Sequence, residues 1–133
     1  LFQHGIAQAV ATLGTATTPD HAELLFRNAP DVYFCFDGDN AGRKAGWRAL
    51  ESVLPRMRDG RQAFFLFLPD GEDPDTIVRS EGAAGFEARL DAATPLSTFF
   101  FDTLGETLER LIDDGSWRRI RVQCLSCRKA IRH

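Results

Sequence analysis

Two clusters of carboxylates carry the chemistry this sequence offers. The first follows the apolar run Tyr33-Phe34-Cys35-Phe36 as Asp37-Gly38-Asp39, and the second is Pro69-Asp70-Gly71-Glu72-Asp73-Pro74-Asp75. Residues i and i+2 of an extended chain point to the same side, so Asp37 and Asp39 converge where the apolar run ends. Gly38 between them lets another stretch of backbone come close. Carboxylate oxygens are hard donors, and at the carboxyl end of a buried strand they suit Mg²⁺ or Mn²⁺ working on phosphates. A solvated acidic turn has the same composition, so the surrounding elements must decide between the two.

Those elements alternate in type. Residues 6–14 are small and apolar and close with Leu13-Gly14-Thr15, which predicts a short buried strand entering a loop. Thr18-Pro19-Asp20 is a helix start, with Thr18 as N-cap and Pro19 in the first turn, for a helix reaching about Asn28 and burying Ala22, Leu24 and Leu25. Residues 32–36 are continuously apolar, as in a parallel strand covered on both faces. A helix follows over 41–57, with Ala45, Ala49, Leu50, Val53 and Leu54 on one face and Arg43, Lys44, Arg48 and Glu51 on another. Asp59-Gly60 turns the chain into a third apolar strand over 63–68. Strand–helix–strand–helix–strand requires crossover connections, a parallel sheet and the α/β class. Both acidic clusters then share one carboxyl edge, where such sheets bind ligands. Carboxylates gathered there repel unless cations neutralise them, and this favours a metal site over a surface turn.

Past Asp75 the pattern is helical, over 76–82, 83–93 and 95–104, the last carrying Phe99-Phe100-Phe101. That aromatic cluster lacks interleaved basic residues, so it reads as core or domain contact rather than a base-stacking platform. The chain of 133 residues makes one domain or a piece of a larger one, and 44% hydrophobic residues with 11 Phe suffice for a real core. It has no run of about 18 apolar residues, which argues against a membrane span, and no signal-peptide pattern opens it. A net charge of −3 excludes a global nucleic-acid footprint but leaves room for a local basic face. Three Cys do not describe a disulfide framework, so a cytoplasmic location is expected, with Cys35 an inert apolar residue inside its strand.

Rival carboxylate motifs fail on spacing. A calcium EF-hand loop starting at Asp37 would place Ala41 at its fifth position and Arg48 at its twelfth. A haloacid-dehalogenase-type phosphatase wants Gly-Thr or Gly-Val after Asp-x-Asp, and Asn40-Ala41-Gly42 stands there instead.

The segment Phe36-Asp37-Gly38-Asp39-Asn40-Ala41-Gly42-Arg43-Lys44-Ala45 resembles the Asp-Gly-Asp-x-Ala-Gly segment of the Toprim domain shared by primases and topoisomerases. Leu68 to Thr76, with its Gly-Glu-Asp-Pro-Asp-Thr run, resembles the bacterial DnaG-type primases in particular. So do Leu13-Gly14-Thr15-Ala16, Trp47-Arg48-Ala49-Leu50 and Pro95-Leu96-Ser97 leading into Phe99. The resemblance covers about residues 1–105.

It implies part of the catalytic core of an enzyme that makes short RNA primers on a single-stranded DNA template from ribonucleoside triphosphates, by metal-dependent nucleotidyl transfer. Asp37 and Asp39 match the metal-binding, catalytic Asp-x-Asp. Asp73 and Asp75 match the second acidic pair, with Glu72 beside them. Arg43 and Lys44, at the start of the following helix, are placed to meet phosphate. The family's Toprim domain opens with a strand ending in Glu-Gly-Tyr-Met-Asp, and Leu1-Phe2-Gln3-His4-Gly5-Ile6 resembles the family's next segment after that strand. The implied division is a Toprim domain at 1–78 without that first strand, a helical extension at 79–112 and an atypical basic tail at 113–133. The zinc-ribbon, template-binding and helicase-binding domains of the family have no counterpart here, so contact with the replicative helicase would run through a domain outside this chain, and the chain alone is expected to be inactive. A non-catalytic Toprim remnant that binds metal or nucleic acid stays open. A Toprim nuclease or topoisomerase piece is disfavoured by the run from Asp70 to Thr76.

The tail departs from the family. Cys124, Cys127 and His133 give at most three zinc donors among Arg and Lys, so a truncated or shifted reading frame is the simpler account. His4 and His21 belong to no constellation.

Overall fold

The computed structural model describes residues 5, 8–11 and 16–113. The chain divides into two compact units, 1–96 and 97–133. In the first unit, α1 (Pro19–Asn28), β1 (Asp31–Phe36), α2 (Asn40–Val53), β2 (Gln62–Phe67), α3 (Pro74–Asp91) and β3 (Thr94–Pro95) follow in order. The second unit is described through α4 (Leu96–Asp113), which starts at the last residue of the first.

β1 and β2 pair in parallel, Asp31 opposite Gln62 through Phe36 opposite Phe67. The two-residue β3 lies antiparallel on the other side of β2, with Phe65 opposite Thr94 and Phe64 opposite Pro95. The sheet is therefore mixed, not wholly parallel. Proline lacks the ladder N–H, which confines β3 to an edge. The expected strand over 6–14 is not formed at residues 8–11, where Val10 is 76% exposed, and the remainder of that stretch lies outside the described residues.

Alternation along β1 and β2 gives the sheet two buried faces. Phe34, Phe36, Phe65 and Phe67 stack across the strands at 5.4 to 6.3 Å on the face that meets α2. On the other face Leu66 and Leu68 form a core with Ile77, Val78 and Phe86 of α3, and Cys35 packs against it. This makes a three-layer α/β/α arrangement. β1 is not covered along its whole length, since Tyr33 is 40% exposed and stacks on Phe64 at 4.7 Å.

α1 starts where expected. Thr18 accepts from the His21 N–H while His21 Nδ1 accepts from the Thr18 N–H, so His21 completes a capping box. The helix buries Ala22 and Phe26, one turn apart, and turns Leu24 to solvent. α2 buries Gly42, Gly46, Ala49, Leu50 and Val53, leaving Ala45 exposed. It ends at Val53 rather than near Met57 because Pro55 lacks an N–H, and a 3-10 turn over Leu54–Arg56 follows. α3 holds the two expected helices, divided at Gly82, whose φ of 75° and ψ of 175° are a glycine conformation. It runs without a break through residue 78. α4 extends beyond the expected stretch to Asp113, with Phe99 buried and Phe101 68% exposed.

Candidate functional site

At the carboxyl edge of the sheet, each of the two parallel strands hands over to a helix through an aspartate. Asp39 is the N-cap of α2, with extended backbone (φ −80°, ψ 176°), and its Oδ1 accepts from the Gly42 N–H at 2.6 Å. Asp73 is the N-cap of α3, and its Oδ1 accepts from the Thr76 N–H at 2.8 Å and the Thr76 hydroxyl at 3.0 Å. A helix start leaves backbone donors unsatisfied, and a short acidic side chain placed just before it satisfies one. The Thr76 N–H, then its hydroxyl, hold the Asp73 carboxyl below the usual carboxylate range. Each cap bond takes the Oδ1 oxygen and leaves Oδ2 outside that bond. The two helix N-termini also bring partial positive charge to this edge, offsetting part of the repulsion among its carboxylates.

Glycine joins the two acidic loops. The Leu68 N–H donates to the Phe36 carbonyl at 2.9 Å, carrying the ladder past the end of β2. There a side chain on Gly38 would overlap the Leu68 carbonyl oxygen and stand 3.0 Å from the Asp70 nitrogen. The loop of Asp37 and Asp39 thus lies against the backbone that leads into Asp70 and Glu72. Gly42 has no room for a side chain either, because the Asp37 carbonyl oxygen fills that space.

The expected site residues fall into distinct situations. Asp37 and Asp39 lie in the exposed loop after β1. Asp75, in the first turn of α3, pairs with Arg79 at 2.8 Å. Glu72 has a buried Oε2 without a hydrogen-bond partner. Arg43 lies over the Phe67 ring, 5.3 Å from its centroid, and Lys44 beside it is exposed. Among the described residues no group of three His, Cys, Asp or Glu converges closely enough to enclose a metal ion. The donor chemistry nonetheless fits a hard divalent cation: carboxylates on one edge, two of them oriented by caps, and an orphaned oxygen on Glu72.

Three features of this edge went unread in the sequence, and two of them had a signal there. The capping roles of Asp39 and Asp73 were legible, since each precedes a helical pattern and Pro74 follows Asp73 in the first turn. The Asp75–Arg79 pair also has the readable i, i+4 spacing. Phe67 under Arg43 was not legible, because that contact spans two elements. Two features away from the edge are structural. Burial, with the Asp37 charge second, pushes the Cys35 thiol up to about 11, as suits an inert residue. Arg61, just before β2, grips both oxygens of Glu23 at 2.9 and 3.0 Å and lies 5.3 Å from the Phe26 ring. The motif Cys124, Cys127 and His133 falls outside the described residues.

A Toprim-like family profile matches residues 1–78. The DNA primase of Escherichia coli K12 is 58% identical over 118 residues, which are 89% of this chain and 20% of that protein. The chain thus spans about a fifth of the length of the curated relatives it matches. A solved DnaG catalytic core superposes with a TM-score of 0.78 at 60% identity, covering 80% of this chain and 34% of that one. A DnaG primase catalytic domain bound to single-stranded DNA superposes with a TM-score of 0.75 at 61% identity, covering 77% of this chain and 32% of that one. Among the described residues no helix is long and apolar enough to cross a membrane.

Proposed function

The chain belongs to the Toprim-like family, and from that premise we propose that it is the acidic edge of a DNA primase catalytic core. In this reading the whole protein, a cytoplasmic bacterial DnaG-type primase, joins ribonucleoside triphosphates on single-stranded DNA to begin replication. The observation that carries the proposal is the backbone contact of Gly38 with Leu68 and Asp70, which brings two acidic loops together at the ends of two parallel strands. An acidic surface turn has no need of such a contact. Support for the primase class comes from relatives of 58–61% identity.

Asp37, Asp39, Asp73 and Asp75 would hold Mg²⁺ or Mn²⁺. A divalent cation there would neutralise phosphate charge and assist the attacking hydroxyl. The chain's own part is orientation. Caps fix Asp39 and Asp73, Arg79 restrains Asp75, and Arg43 and Lys44 offer cationic donors to phosphate oxygens. In this reading the site is completed in the longer protein, and the chain does not catalyse by itself. Helicase contact is assigned to the rest of that protein.

The test is primer synthesis by the full-length enzyme. Asp37→Asn and Asp39→Asn should each lower the rate by about a hundredfold or more, with the fold kept. Wild-type rates in both would refute the assignment.

A further inference from the structure

Arg43 is held differently from five other arginines among the described residues. Arg27, Arg56, Arg61, Arg79 and Arg89 each pair with a carboxylate. The Arg43 guanidinium makes no ion pair among the described residues, although Asp37 and Asp39 are close in the chain; it lies on the face of Phe67. Phe67, the last residue of β2, is itself confined. On one side it stacks with Phe36 at 5.8 Å. From α2 the backbone at Gly46 presses in so closely that a side chain there would stand 2.7 Å from Phe67 Cζ. Arg43 and Gly46 are three residues apart and share a helix face. Gly46 therefore makes room for the ring, and the ring supports Arg43.

Stacking uses only the face of a guanidinium. A guanidinium resting over a ring keeps N–H donors available, in the planar fork that matches two oxygens of a phosphate, and the ring contact limits the rotamers lost on binding. A lysine in the same place would be neither planar nor held in this way.

We propose that Phe67 is a positioning residue, seated in the gap left by Gly46, that presents the Arg43 guanidinium edge-on to a phosphate oxyanion at the carboxyl edge of the sheet. This rests on the reading of that edge as a primase metal site and deepens it by separating Arg43 from Lys44. The phosphate belongs either to a nucleoside triphosphate or to a single-stranded nucleic acid, and two probes distinguish them.

The experiment measures binding of ATP and of an oligo-dT strand to the chain at fixed Mn²⁺, with Mn²⁺ binding and a thermal melt recorded for each variant. Arg43→Gln and Phe67→Leu should weaken the same probe to a similar extent, about five- to tenfold, and the double variant no further than Arg43→Gln alone. Arg43→Lys should lose most of what Arg43→Gln loses, and it bears on the proposal even if Phe67→Leu fails to fold. Loss on ATP alone assigns the phosphate to the nucleotide, and loss on the strand alone assigns it to nucleic acid. Wild-type binding in Phe67→Leu, or in Arg43→Lys, overturns the positioning role. A wild-type chain that takes Mn²⁺ but neither probe overturns this inference while the acidic edge stands. A chain that takes no Mn²⁺ overturns both.

Discussion

Replacing Asp39 by Asn keeps an oxygen for the Gly42 N–H while removing the charge. Asn and Asp are equally good N-caps, so Asp39→Asn should melt close to the wild type, whereas Asp39→Ala should lose about 1 kcal/mol. Metal affinity should fall in both. That dissociation of stability from binding, read by thermal melts beside Mn²⁺ titration, separates a ligand from a mere cap; equal Mn²⁺ affinity in all three chains would leave only the cap. At this scale the candidate carboxylates were legible in the sequence. Asp37 and Asp39 directly follow one apolar run and Asp73 and Asp75 stand in the acidic loop after the next, so residue type and spacing mark both clusters as candidates, and the resemblance to the Toprim primases singles out the second pair. Phe67 carries no such mark. Its place beneath Arg43 depends on how α2 crosses β2, which no local pattern encodes.

The element scale turns on glycine. Gly38 lies where two loops leave adjacent strands, and a methyl group there would meet backbone that has no side chain to rotate away. Gly38→Ala should therefore cost about 1–3 kcal/mol and, by parting the loops, abolish tight Mn²⁺ binding. An unchanged melt would mean that the loops do not meet in solution. Glycine also explains where sequence reading of the elements went wrong. The buried stripe of α2 contains Gly42 and Gly46, which have almost no hydropathy, so exposed Ala45 took their place in the expected face. In α1 Ala22 is buried as expected, but the apolar Leu24 stood in the expected face in place of Phe26, one turn beyond Ala22. β3 is two residues long, one of them proline, and pairs with a distant strand, so it has no period to detect. By contrast β1, α2 and β2 were legible because length, continuous apolarity and the turn at Gly60 all agree.

For the whole molecule, an ion pair toward the opposite edge of the sheet contributes to the dependence of stability on acid. The Arg61 guanidinium holds the Glu23 carboxyl down from 4.5 to about 2, its hydrogen bonds being the largest cause. A carboxyl with a depressed folded pKa contributes stability in full above its unfolded value. That contribution should fade as pH drops from about 4.5 towards 2. Glu23→Gln should remove this part of the acid dependence, visible as a flatter plot of melting temperature against pH below 4.5; an unaltered plot would show that the pair contributes nothing. Nothing in this clamp touches the acidic edge, so metal binding should be the same in that variant. If one folded edge gathers carboxylates for a divalent cation, calorimetric titration of Mn²⁺ into this chain and into Asp37→Asn must register it. Saturable binding is expected, weakened at least about tenfold in the variant, the change due to one lost charged ligand. Equal affinity in the two chains, or no binding by either, would contradict the metal edge.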